Sequence, residues 1–195
     1  MKKLLLTLLT ALLLNAAWAG PQDDARVAIQ REDFDTLLQI IRPPALKGEA
    51  WAQTWVADTH RLGQGVVQDY AEAAKWYRLA AQQGEENAQS SLGVMYDKGE
   101  GVAQNHAEAL KWYRLAAQQG EAVAQSNLGL KYFNGQGAVQ DYVKAHSWFN
   151  LGAINGDAEA VKRRDLVAKR MTPQQIAEAQ KLARDCQARN FKGCD

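Results

Sequence analysis

Apolar residues recur at helical spacing in the middle of the chain. The first set lies at positions i, i+3, i+4, i+7 and i+8, which form one face of an α-helix: Ala73, Trp76, Tyr77, Ala80 and Ala81. Asp69 precedes this set as a helix-capping residue, and Gly84 follows it where glycine ends a helix without steric cost. A second apolar face then follows at Ala88, Leu92, Met95 and Tyr96. The pattern predicts a pair of helices.

This pattern returns at a fixed interval. Residues 69–104 and 105–140 are identical at 23 of 36 positions, and a looser copy begins at Asp141. Self-similarity at such a period is typical of stacked repeat proteins. We therefore predict an all-α fold, a right-handed α/α solenoid of about four 36-residue helix-turn-helix repeats. The predicted repeats are approximately 33–68, 69–104, 105–140 and 141–168.

The two ends of the predicted stack differ from its centre. A first helical segment is expected from Pro21 to Ile41, ended by Pro43 and Pro44 because proline cannot continue a helix interior. At the other end, a capping threonine followed by proline predicts a last helix with one apolar stripe. We expect residues 171–195 to form a C-terminal capping helix and a cysteine-bearing tail, after a solenoid over 20–170.

The repeated residues carry a family resemblance. Each central unit reads A-x-K-W-Y-R-x-A-A-x-Q-G, then A-Q-x-x-L-G-x-x-Y, then G-x-G-x-x-Q. On these motifs the chain resembles the Sel1-like repeat family, relatives of the tetratricopeptide repeats, over roughly residues 33 to 165. The resemblance implies an α/α solenoid that recognises proteins or peptides and often serves as a scaffold or adaptor. Cysteine-rich exported members have a disulfide in each repeat, and this chain lacks those cysteines.

The first nineteen residues have the pattern of a cleaved signal peptide. Lys2 and Lys3 form a charged start, and an apolar run extends from Leu4 to Leu14. A small-x-small cleavage pattern ends at Ala19. The apolar run is shorter than the roughly 20 residues that a membrane-spanning helix needs. We expect cleavage after Ala19, no membrane span in the mature chain, and a periplasmic or secreted protein.

The predicted export affects the interpretation of the two cysteines, Cys186 and Cys194. An even number of cysteines in an exported protein favours a disulfide. A metal site would need more ligands than these two thiols supply, and their spacing is not that of a C-x-x-C redox motif. We predict a structural disulfide. Whether it closes within one chain or joins two chains is left open by the sequence.

Charge and motif content exclude several classes of function. Loss of Lys2 and Lys3 with the signal peptide changes the formal net charge from +1 to −1. A near-neutral chain lacks the basic face that binds nucleic acid or anionic lipid. The S-x-x-K, S-D-N and K-T-G motifs of serine β-lactamases are absent, and His60, His106 and His146 form no H-E-x-x-H motif. We therefore predict no catalytic residues, no metal and no cofactor.

The predicted function is non-catalytic binding of a protein or peptide in the cell envelope or in a host. Some exported relatives bind or slowly hydrolyse β-lactams, so a cell-wall or β-lactam-directed hydrolase or binding protein is the alternative. The first helices of such solenoids line a concave face. Trp76 and Trp112 lie on these helices, where we expect them to pack between repeats or, alternatively, to line a groove. Candidate partner contacts are first-helix positions that differ between repeats: Tyr70 with His106 and Tyr142, Lys75 with Lys111 and His146, and Arg78 with Arg114 and Asn150.

Overall fold

The computed structural model describes residues 20–194, and its regular elements over this range are all α-helices. The predicted signal peptide lies outside the described residues. None of the helices in the described range is long and apolar enough to cross a membrane. In chain order the helices are α1 Pro21–Gln30, α2 Phe34–Leu46, α3 Ala50–Leu62, α4 Tyr70–Gln82, α5 Glu86–Lys98, α6 His106–Ala117, α7 Ala122–Asn134, α8 Tyr142–Ile154, α9 Ala158–Ala168 and α10 Pro173–Ala188.

The helices from α2 to α9 form four pairs that stack in chain order. The first helices of the pairs are α2, α4, α6 and α8, and the second helices are α3, α5, α7 and α9. The second helices α3, α5 and α7 pack on their own first helices and, more extensively, on the first helix of the next pair, and α9 packs on α8. This arrangement confirms the predicted all-α solenoid.

Capping residues fix where each first helix begins. The side chain of Asp69 accepts a hydrogen bond from the backbone N–H of Glu72 at 2.9 Å. Asn105 and Asp141 cap α6 and α8 in the same way. These side chains satisfy N–H groups that have no partner within the helix. The caps therefore repeat with the period of the sequence, as predicted.

Small residues let each first helix approach the second helix before it. Gly93 of α5 faces the ring of Tyr113, and a Cβ atom at this glycine would lie 2.7 Å from the ring. The next pair repeats the contact between Gly129 of α7 and Phe149 of α8, where the corresponding distance is 2.9 Å. Both rings are almost fully buried. The missing side chain at Gly93 and Gly129 sets the spacing between consecutive pairs.

Buried glutamines connect consecutive pairs by hydrogen bonds. Gln89 donates to the carbonyl oxygen of Ala81 at 3.1 Å, at the end of its own first helix. Its side-chain oxygen accepts from Gln119, which follows the next first helix, at 2.8 Å. Gln125 makes the equivalent bonds with Ala117 and Asn155. Because buried amides need partners, these bonds hold the pairs in one register.

The prediction for the N-terminal segment was wrong. The chain forms two helices there, because it turns at Glu32, which has a φ of +55°, and the Asp33 side chain then caps α2. Helix α2 also continues through Pro43 and Pro44 to Leu46. Proline has a helical φ, although within a helix it removes its own N–H bond and its ring crowds the carbonyl group four residues earlier. Here the prolines lie in the last turns of the helix. The buried side chain of Ala45 holds these turns against the core.

Candidate protein-binding face

The predicted candidates Lys75 and Lys111 lie exposed on α4 and α6. Lys75 donates to Glu72 at 2.7 Å, and Lys111 donates to Glu108 at 2.5 Å. The two residues of each ion pair lie one helical turn apart on the surface of their helix. Such exposed pairs contribute little to stability, so these side chains can reorient toward a partner at low cost.

The candidates Arg78, Arg114 and Asn150 are half-buried and connect the two helices of their own pairs. Arg78 donates to the hydroxyl of Tyr96 at 3.0 Å, and Arg114 donates to that of Tyr132 at 3.1 Å. Asn150 accepts a hydrogen bond from Arg164 of α9 at 3.4 Å. The structure therefore gives these three side chains a bridging role, and their contact with a partner stays a prediction.

The candidates Tyr70, His106 and Tyr142 lie at the starts of first helices, against the preceding second helix. The hydroxyl of Tyr70 accepts a hydrogen bond from Gln68 at 3.1 Å. The Nδ1 atom of His106 lies 2.6 Å from a carboxylate oxygen of Asp97. The ring of Tyr142 lies 5.6 Å from that of Phe133. All three candidates are half-buried, so each presents only part of its side chain to a partner.

The comparison of His146 with Lys75 and Lys111 was wrong by one position. Counting one period from Lys111 gives Ser147, whereas His146 follows Ala74 and Leu110, which are both buried. His146 is likewise 3% exposed. Its Nδ1 atom has no hydrogen-bond partner among the described residues. His146 is therefore an interior residue of α8.

Burial lowers the pKa of His146, because a charged imidazolium loses hydration there, and Arg164 lowers it further while Asp165 raises it. As pH falls through about 6.5, the unfolded chain binds a proton that the folded chain resists. We therefore expect His146→Leu, the residue of the equivalent position in α6, to resist acid better than the wild type. Urea unfolding at pH 7.5 and pH 5.5 measures this difference, which is at most about 1.4 kcal/mol per pH unit.

The stability of His146→Leu at pH 7.5 serves as the reference for any change in packing. An equal loss of stability in both proteins between the two pH values would show that other groups cause the acid sensitivity.

Exposed apolar side chains lie beside the two lysines. Leu79 of α4 is 46% exposed and Leu115 of α6 is 44% exposed, although both are large and apolar. Trp76 and Trp112 are half-buried, with one side against the core of the preceding pair. We call the set on these two helices the first-helix strip: Lys75, Trp76, Leu79, Lys111, Trp112 and Leu115.

Sequence reasoning missed Leu79 and Leu115, because they fall outside the predicted buried face. A signal was present, since leucine occurs at this position in three first helices, at Leu79, Leu115 and Leu151. Of these three leucines only Leu151 is buried. Its burial depends on packing contacts that the repeat pattern does not contain.

The structure joins Cys186 and Cys194 in a disulfide, with an S–S distance of 2.04 Å and a Cα–Cα distance of 5.2 Å. The two predicted cysteines therefore lie close enough to pair within one chain. Cys186 is buried at the contact between α10 and α8. The disulfide attaches the C-terminal tail to the end of α10.

A second surface feature, a cleft, lies mainly on the second helices of the pairs. A cleft of about 300 Å³ is lined by Ser90, Ser91 and Asn87 of α5 together with charged residues of both signs, including Arg61 and Glu121. The mixed charge gives the cleft no preference for one type of ion. Among residues 20–194, no three histidine, cysteine, aspartate or glutamate side chains gather to bind a metal.

Comparison with known proteins adds the identity of the repeat. The model of the Sel1 repeat matches residues 52–85, 87–121 and 122–157. Each matched range begins at the start of a second helix and ends just after the first helix of the next pair. It therefore covers two helices that pack extensively across the contact between pairs. No curated protein gives a significant match to the chain.

Among the solved structures that resemble the chain are two repeat proteins. A Sel1 repeat protein from Oxalobacter formigenes is 27% identical, with a TM-score of 0.65 over 83% of this chain and 74% of that protein. The protein c5321, a protective antigen of uropathogenic Escherichia coli with an SLR fold, is 24% identical, with a TM-score of 0.62 over 90% of this chain. This chain covers 48% of the length of c5321, so that likeness concerns the fold.

Proposed function

Because the chain belongs to the Sel1 repeat family, we propose that it is a non-catalytic scaffold that binds a protein or peptide in the periplasm or outside the cell. Sel1 repeats generally mediate protein binding. The observation that carries the proposal for this chain is the first-helix strip. On this strip, Trp112 and Leu115 remain partly exposed to solvent. Their equivalents on α4, one period earlier, are partly exposed as well.

The chemistry of the strip suits a protein partner. Tryptophan is enriched among the residues that dominate binding energy at interfaces. Leu79 and Leu115 add apolar area that would leave water on binding, and Lys75 and Lys111 supply charge at its edge. Apolar anchors beside charged groups are the usual anatomy of an interface.

The proposed compartment rests on two observations. The sequence of residues 1–19 has the pattern of a signal peptide. The disulfide between Cys186 and Cys194 is consistent with an oxidising environment outside the cytoplasm. The partner is therefore expected in the cell envelope or in a host.

Site-specific photo-crosslinking in the native compartment tests the proposal. We expect a photoreactive residue at position 79 or 115 to capture the same protein, and Trp112→Ala to reduce the yield from position 79 at least tenfold. The matched control is position 139, since Val139 is 88% exposed in a loop away from the strip. Capture of the same protein from position 139, or of none from positions 79 and 115, would contradict the proposal.

The alternative of a β-lactam-directed hydrolase is tested separately with the purified mature protein. We expect no turnover of a chromogenic β-lactam above that of a heat-unfolded sample. Turnover that rises with the concentration of folded protein would show that the scaffold is not its sole function.

A further inference from the structure

Helix α8, the first helix of the fourth pair, differs from α4 and α6 in what covers it. On α8, the positions equivalent to the first-helix strip are Ser147, Trp148 and Leu151. They are 6%, 2% and 1% exposed, whereas Leu79 and Leu115 are nearly half exposed. The tryptophan and leucine are the same in all three helices, so the residues themselves do not explain the difference.

The covering element is the C-terminal helix α10. It does not extend the stack beyond α9, but folds back and packs on α8. Trp148 and Leu151 share one buried cluster with Ala183 and Cys186 of α10. The chain itself therefore contains a helix that packs on a first helix whose tryptophan and leucine are both buried.

The side chains of α10 show what such a seat accepts. Its buried stripe consists of small residues, Ala179, Ala183 and Cys186, with Leu182 at the edge. Small side chains allow the backbone of α10 to approach the large ring of Trp148. Ile176 also lies half-buried on α10, and the other residues of the helix are exposed and mostly polar. The occupant of the seat is thus an amphipathic helix with a narrow stripe of small residues.

The tail that follows α10 reaches the end of α6, a helix that carries part of the first-helix strip. Beyond the end of α10, Phe191 reaches the turn after α6, where its ring lies 3.2 Å from the place of a Cβ atom at Gly120. The chain segment that follows α10 therefore lies next to the end of the helix that carries Trp112 and Leu115. Trp112 and Leu115 lie one period before Trp148 and Leu151, and Trp76 and Leu79 lie two periods before them.

We propose that the first-helix strip binds an amphipathic α-helix of the partner, with a stripe of small and aliphatic residues, in the way that α10 is seated on α8. This inference rests on the proposed function and names the form of its partner. The helix lies against Trp76 and Leu79 or against Trp112 and Leu115. Lys75 and Lys111, which replace the buried Ser147, remain at its edge and meet the polar face of the partner helix.

A labelled peptide with the sequence of residues 172–188, carrying Cys186→Ala to prevent thiol exchange, is the probe. We expect saturable binding to the intact oxidised protein, measured by fluorescence anisotropy. Leu79→Asp combined with Leu115→Asp should weaken binding at least tenfold, and Val139→Asp should leave it unchanged. A peptide with Ala179→Asp and Ala183→Asp, which interrupts the stripe, should not bind.

Absence of saturable binding, or binding that the two leucine substitutions leave unchanged, would overturn the inference. A dimer in gel filtration that Leu115→Asp dissociates would also overturn it, because the occupant would then be a second copy of the chain. Failure of the peptide to bind while positions 79 and 115 still capture a protein in the cell would remove the helix and leave the proposed scaffold function standing.

Discussion

Asp97→Asn should destabilise the protein by about 3 kcal/mol or more, because it removes the charge that balances a buried ammonium group. Lys131 of α7 is 2% exposed and donates to Asp97 of α5. The Nδ1 atom of His106 lies 2.6 Å from the same carboxylate oxygen. Lys131 occupies the position of Met95 in the preceding pair, where the side chain is apolar and buried. Loss of its partner leaves a cation in the core.

A double-mutant cycle separates the charge from the packing. Lys131→Met places the residue of the preceding pair at this position, and we expect it to be neutral within about 1 kcal/mol or stabilising. Added to Asp97→Asn, it should recover most of the lost stability. The matched control is Glu108→Gln, which breaks the exposed pair with Lys111 and should cost less than about 1 kcal/mol.

Urea unfolding at one pH provides the four free energies of the cycle. The explanation fails if Asp97→Asn costs no more than Glu108→Gln, or if Lys131→Met does not rescue it.

Gly101→Ala should also cost about 3 kcal/mol or more, for a steric reason. Gly101 lies in the turn between α5 and α6 and has a φ of +68°, a conformation that is unfavourable for residues with a Cβ atom. A Cβ atom would lie 2.1 Å from the carbonyl oxygen of Tyr70, at the start of α4. Since the opposing atoms are backbone, the overlap can be relieved only by moving the turn away from the start of α4.

Gly84→Ala is the matched control for Gly101→Ala. Gly84 has a φ of +93°, and a Cβ atom there would meet nothing within 4 Å. It should therefore cost only the conformational strain, roughly 1–2 kcal/mol. Thermal unfolding of the two variants compares these effects. Equal losses of stability would show that backbone conformation, and not contact with Tyr70, accounts for the requirement at Gly101.

Much of the fold could be predicted because its determinants are local. The helix starts at Asp69 and Asn105 depend on hydrogen bonds to residues two or three positions away. The capping box at the start of α10 joins Thr172 and Gln175 in the same way. The proximity of Cys186 and Cys194 was also predictable, since an even number of cysteines after a signal-peptide pattern favours a disulfide.

The errors arose where local rules met tertiary contacts. Helix α2 continues through Pro43 because the helix still buries Ile41 and Ala45 against α3. His146 was placed on the binding face because the register of the looser fourth repeat was read one residue off. The continuation of α2 depends on burial, which local propensity does not report, whereas the placement of His146 depends on the register of the fourth repeat.

By itself, the sequence determined the period, the pairing of helices and the positions of their ends, because these follow from spacing and from bonds within one turn. Only the tertiary structure decided which of three equivalent leucines is buried. Leu79, Leu115 and Leu151 occupy the same place in their helices, yet α10 covers only the last. A contact between α8 and a helix outside the repeat breaks the symmetry of the pattern. The open face of α4 and α6 exists because α10 does not reach it.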